Sequence, residues 1–102
     1  MVRRGEVYWV NLDPTFGSEI KKTRPCLVVS PNVLNKQVPR VLIAPLTSKG
    51  ASLPSRVIVD FNQKTAKILL DQIRSIDKKR LQQKIGVIPL SIWQPTLIEM
   101  FS

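Results

Sequence analysis

The sequence predicts a small, mainly β (α+β) fold: an antiparallel barrel or bent sheet of about five to seven strands, followed by one short C-terminal helix. Segments of four to eight β-branched or aromatic residues recur along the chain, each bounded by Pro, Gly, Asn or Asp, and no long helical period separates them. The length of 102 residues with 43% apolar content suits one core, so residues 1–102 are expected to form a single domain.

Residues 6–12 (EVYWVNL) alternate, with Val7, Trp9 and Asn11 on one side and Tyr8, Val10 and Leu12 on the other, as a first strand should. The turn-forming DPTFGS run ends it. Pro25 biases Arg24 toward extended backbone, so a second strand over 26–30 is expected to carry Arg24 at its mouth. Residues 31–36 hold one helical turn, and a third strand runs over 40–46 with Thr47 and Ser48 at its exit. Pro45 lies inside that strand, which predicts an edge, a bulge or an end there. Strand four is residues 56–60, Asn62-Gln63 make a turn, and strand five is 67–70. Asp77 then caps a short turn through Leu81, and Gly86 marks a break. Ser91 and Gln94 have capping-box spacing for a short helix with Pro95 in its first turn. Its apolar residues Ile92, Trp93, Leu97, Ile98 and Phe101 are expected to face the sheet.

Composition narrows the chemistry. The chain has no histidine and one cysteine, Cys26. Ser-His-Asp and Cys-His nucleophile systems, His-containing metal sites and an intrachain disulfide are therefore excluded within one chain. No apolar run is long enough for a membrane span, and Arg3-Arg4 lead straight into Glu6 and aromatic residues, so a soluble, unprocessed cytoplasmic chain is expected. Sixteen Lys and Arg against seven Asp and Glu leave a net charge of +9. A single basic cluster is ordinarily solvated surface; the sum points to a polyanionic partner, nucleic acid or an acidic protein.

The aromatic residues Tyr8, Trp9, Phe61, Trp93 and Phe101 read as core. Phe16, in a turn-rich loop beside Gly17, is open to two uses: stacking on a base or plugging the barrel end. The seven acids show no motif for paired magnesium ions, so a metal nuclease is not expected. Arginine, hydroxyls and at most a single carboxylate remain, and they suffice for one reaction. RNA carries its own nucleophile in the 2′-hydroxyl, so a site that aligns it and stabilises a pentavalent phosphate can cleave without metal or covalent intermediate.

Five strings in register, RGEVYWV (4–10), DPT with GSE (13–19), TRPCLVV (23–29), PLTS (45–48) and LDQIRSID (70–77), make the chain similar to the MazF/PemK family of toxin endoribonucleases. The resemblance implies an SH3-like barrel related to the CcdB toxin fold, a homodimer, and metal-independent cutting of single-stranded mRNA that leaves 2′,3′-cyclic phosphate and 5′-hydroxyl ends. It also implies an acidic cognate antitoxin, MazE- or PemI-like, whose flexible C-terminal segment occludes the RNA groove. No cofactor is expected.

Carried over by motif, Arg24 and Thr47 match the catalytic pair. Arg24 would fork onto phosphate oxygens, with proton delivery to the 5′ oxygen as a further role; Thr47 would hydrogen-bond the phosphate or orient the 2′-hydroxyl. Phe16, Gly17, Ser18, Glu19, Lys21 and Lys22 match a loop bordering the RNA groove, and Ser48, Asp71, Gln72 and Arg74 match further RNA contacts. For Asp71 a structural bond, to backbone amides or Arg74, is the competing reading. The PemK branch uses a histidine and an arginine where this chain has Ser18 and Leu69, which favours the Arg24/Thr47 chemistry. The rival class is non-catalytic: a CcdB-like poison of a protein target or an SH3-like RNA-binding module.

Overall fold

In the computed structural model, which describes residues 1–12 and 23–102, the β-branched segments form seven strands. They are β1 (Glu6–Asn11), β2 (Thr23–Val28), β3 (Arg40–Thr47), β4 (Arg56–Phe61), β5 (Lys64–Leu69), β6 (Arg74–Asp77) and β7 (Leu81–Val87). Two helices accompany them, α1 (Asn32–Gln37) and α2 (Leu90–Met100). Neighbours pair antiparallel in the order β4-β5-β3-β2-β1-β7, with β6 beside the first half of β3. The result is a curled half-barrel with a C-terminal helix.

Register shifts in the β1–β7 ladder on both sides of Tyr8 bend the sheet. The curl brings the two ends of the strand order together where Phe61 of β4 lies on Gly86 of β7. A Cβ at Gly86 would stand 2.7 Å from the ring, so the residue read as a break is instead where a bare backbone lets an aromatic ring approach.

Alternation fills both faces of the sheet. Val7, Leu27, Ala44, Leu46, Ile68 and Leu70 join Ile88 and Trp93 in one buried cluster; Val10, Cys26, Val28, Val41, Ile43 and Ile76 make the other. Trp93 is fully buried, with its indole N–H 3.4 Å from the Ile88 carbonyl and the Arg4 guanidinium 5.5 Å above its ring.

Pro45 lies in a central strand, not at an edge. The Leu42 amide and carbonyl both bond toward β2, to Ser30 Oγ and the Val29 amide. By alternation the nitrogen of Pro45 faces the other side, where pairing with β6 has ended at Ile43 and pairing with β5 begins at Leu46. The missing N–H falls in that gap and costs no ladder bond.

Other boundaries also differ from the sequence reading. β2 and β5 each begin three residues earlier than expected, and β6 and β7, where no strand was expected, flank the short turn that Asp77 caps. The helix starts after Pro89 with no side-chain cap bond, and Pro95 sits in its interior. It buries Trp93 and half-buries Leu97, while Ile92, Ile98 and Phe101 stay exposed.

One buried carboxylate ties the first strand to the last. Glu6 accepts from the Arg3 amide at 2.6 Å and the Tyr8 hydroxyl at 2.9 Å, and meets Lys84 Nζ of β7 at 2.7 Å. Burial pushes its pKa up, but Lys84, the Arg3 amide and Tyr8 outweigh that and hold it below the ordinary 4.5. A depressed folded-state pKa contributes stability above the unfolded value that is lost as pH falls through the folded one. Wild type should therefore lose stability on acidification from roughly pH 5 to pH 3, and Glu6→Gln, weaker at neutral pH, should lose less over that window in denaturant unfolding.

Candidate functional site

The register of β2 on β3 pairs Val28 with Ile43, Leu27 with Ala44 and Cys26 with Pro45, then stops. Continued by two residues, the same register sets Arg24 opposite Thr47. The stop has a local cause. The Val29 amide donates to the Leu42 carbonyl, so by alternation residue 25 turns its backbone toward β3, and proline has no N–H to give there. On its other side β2 keeps pairing with β1, through Val10 with Arg24 to Asn11 with Thr23. Arg24 is thus anchored by β1 and released from β3, at an opening whose far wall is Thr47.

Two cavities meet at that opening, and Arg24, Thr47 and Lys49 line both. The larger, about 620 Å³, is walled by Trp9, Pro25, Leu46, Phe61 and Ile85 and rimmed by Ser48, Asn62, Lys64 and Thr65. The smaller, about 460 Å³, gathers Arg56, Gln72 and Arg74 beside Leu12, Pro45, Gly50 and Leu69. Four cationic side chains therefore border the smaller cavity, and among the described residues neither cavity has a carboxylate in its lining.

Beneath them lies Cys26. Burial pushes its thiol up to about 12, against the opposing pull of the Arg24 and Arg74 charges. Its Sγ donates to the Arg24 carbonyl at 3.7 Å. Thr47 Oγ1 accepts the Lys49 amide at 3.2 Å, which leaves the hydroxyl proton for an acceptor in the cavity. Among the described residues no hydrogen bond or ion pair engages the Arg24 guanidinium.

Asp71 does not bond Arg74. It takes both Nε and Nη2 of Arg56 at 3.2 Å, and this paired hydrogen bond holds its carboxyl below the ordinary 3.8, so it is a weak proton acceptor. Arg56 also donates to the Ala51 carbonyl at 3.2 Å, which fastens the loop after Thr47. Asp71 therefore orients a cavity cation from behind.

Of the residues singled out in the sequence, Arg24, Thr47, Ser48, Gln72 and Arg74 converge on this opening, while Asp71 stands behind it. Phe16, Gly17, Ser18, Glu19, Lys21 and Lys22 lie outside the described residues. Leu69 is buried in the wall of the smaller cavity. Trp9 and Phe61, read as core, instead wall the larger cavity, with Trp9 38% exposed. Sequence reasoning also missed Lys49, Arg56, Asn62, Lys64 and Thr65. The one available signal was the Asn62-Gln63 turn, which sets 61 and 64 side by side. Among the described residues, no group of three or more His, Cys, Asp or Glu side chains is placed to hold a metal ion, and no helix is long and apolar enough to cross a membrane.

Residues 3–96 match the family model of the PemK-like, MazF-like toxin of type II toxin–antitoxin systems. Among solved structures, the Mycobacterium tuberculosis toxin MazF-mt6 is 26% identical, with TM-score 0.74 over 92% of this chain and 89% of that one. A MazE–MazF crystal structure from Deinococcus radiodurans gives TM-score 0.81 at 24% identity, over 98% and 95%. An endoribonuclease in complex with its cognate antitoxin, from a mycobacterial species, gives 0.76 at 23% identity, over 96% and 88%.

The thiol beneath the site provides a check on this geometry. Cys26 in the folded protein should react with iodoacetamide at pH 8 far more slowly than in the urea-unfolded chain, as followed by mass spectrometry. Equal rates would contradict a buried floor.

Proposed function

The chain belongs to the PemK-like, MazF-like toxin family of type II toxin–antitoxin systems, and from that premise we propose that it is a sequence-specific, metal-independent endoribonuclease cutting single-stranded mRNA. The observation that carries this reading is the opening between β2 and β3, where a guanidinium that no described residue engages and a threonine hydroxyl share the rim of a cationic cavity.

In this reading the scissile phosphate sits between Arg24 and Thr47. The 2′-oxygen forms a bond to phosphorus as the P–O5′ bond breaks, giving a 2′,3′-cyclic phosphate and a 5′-hydroxyl. Arg24 stabilises the charge that develops on the non-bridging oxygens, and the Thr47 hydroxyl donates to one of them. The 2′ proton leaves to water, and the 5′ oxygen takes one from water or from Arg24. A guanidinium holds its protons tightly, so charge stabilisation is the larger role. Gln72, Arg74, Lys49 and Arg56 would hold neighbouring phosphates in the smaller cavity, with Ser48 contacting the strand from the rim of the larger one and the 16–22 segment bordering it.

We assign residues 1–102 to one toxin domain acting in the cytoplasm as a homodimer. Exposed Ile92, Ile98 and Phe101 on and after α2 are apolar surface that a second copy would cover. The net charge of +9 suits an acidic antitoxin as well as RNA, and two of the structural relatives are complexes with an antitoxin or MazE.

Purified protein should cut a long RNA at discrete sites in EDTA, leaving cyclic-phosphate ends, and Arg24→Ala should abolish cutting with the fold intact by circular dichroism. A magnesium requirement, or normal cutting by Arg24→Ala, contradicts the mechanism. Binding without turnover identifies an RNA-binding module instead.

A further inference from the structure

We propose that the larger cavity is a nucleobase pocket, in which Trp9 is the stacking surface for an unpaired base adjoining the scissile phosphate and Asn62, Lys64 and Thr65 meet the base edge. This rests on the endoribonuclease reading above and adds to it a subsite that neither the family motif strings nor the charge count indicates.

An indole 38% exposed on a strand whose neighbours Val7 and Val10 are fully buried is surface left open where core was available. It faces a concave space rather than bulk solvent, with Phe61 on the opposite strands of the curl. Phe61 is held by its seat on Gly86, where any side chain would collide with the ring. The cavity therefore has fixed aromatic and aliphatic walls and the scale of a small-molecule site.

The rim selects among apolar ligands. Arg24, Lys49 and Lys64 border the cavity and no carboxylate of the described residues does, so an occupant attached to phosphates is favoured over a neutral one. Asn62 and Gln63 both have left-handed backbone, φ 50° and 67°, as a tight hairpin turn between β4 and β5 requires, and this turn sets Asn62 on the cavity lining. Thr65 Oγ1 donates to Asp60 at 3.2 Å and keeps lone pairs for a base N–H. Because Arg24 and Thr47 line both cavities, a base held here belongs to a nucleotide flanking the cut, and the pocket bears on where the strand is cut as well as how tightly it binds.

The test uses the full chain and a synthetic RNA carrying a mapped cut site, in two forms: one with a 2′-deoxy sugar at the attacking position, so that binding is read without cleavage, and one abasic at either flanking nucleotide. Trp9→Ala should weaken binding of the uncleavable RNA by roughly 5- to 150-fold, and Trp9→Phe by much less. One of the two abasic RNAs should show a similar loss on wild type and no further loss on Trp9→Ala. That abasic result needs no variant to fold. Unchanged binding and cut sites in Trp9→Ala, full activity of both abasic RNAs on wild type, or losses that multiply would overturn the pocket. So would a Trp9→Ala variant that cuts RNA normally and fails only to bind an antitoxin peptide. Wild type that cuts no RNA at all would instead overturn the endoribonuclease reading.

Discussion

Pro25 meets β3 with no N–H to give, one residue before the β2–β3 register would close Arg24 against Thr47, and the site depends on that missing bond. With any other residue there, the ladder could run on past Cys26 and the two side chains would flank a paired backbone instead of an opening. The β1 side does not feel the proline, because residue 25 turns its backbone the other way. Arg24 therefore keeps a rigid seat while no described residue engages its guanidinium. The register matters as much as the stop: a slip of one residue would send Arg24 or Thr47 to the opposite face.

The rest of the molecule supports that opening. The bulged β1–β7 ladder and the Phe61–Gly86 contact curl the sheet so that β4 and β5 wall one side of it. The Glu6–Lys84 pair fastens the strands that set the curl. Arg56, gripped by Asp71 and by the Ala51 carbonyl, holds the loop that follows Thr47 and adds its charge to the smaller cavity. A chain without histidine has no ordinary neutral-pH base. Its means are a concentration of positive charge and an oriented hydroxyl, which suit a substrate that brings its own nucleophile.

Much of this was legible in the sequence because it is written in local chemistry. Prolines, the Asn62-Gln63 turn and the Asp77 cap mark positions where only certain backbones are possible, and the Asp77 side chain does accept the Lys79 amide at 2.8 Å. Arg24 and Thr47 were placed at strand mouths by the same reasoning. Features set by the curl were not legible. Whether Trp9 is core or cavity wall depends on how closely β4 and β5 approach β1, and no periodicity encodes that distance. Gly86 read as a break because the ring it accommodates belongs to Phe61, which is distant in sequence and not visible locally. Arg56 was one cation among sixteen until Asp71 was seen to hold it.

The central claim is that Arg24 and Thr47 act on one phosphate across the β2–β3 opening. A double-mutant cycle of Arg24→Lys and Thr47→Val, read by single-turnover cleavage of one RNA, tests it most directly. The account predicts strongly non-additive effects, the double variant being little slower than the slower single variant. Fully multiplicative losses would mean that the two side chains act independently, and would contradict it.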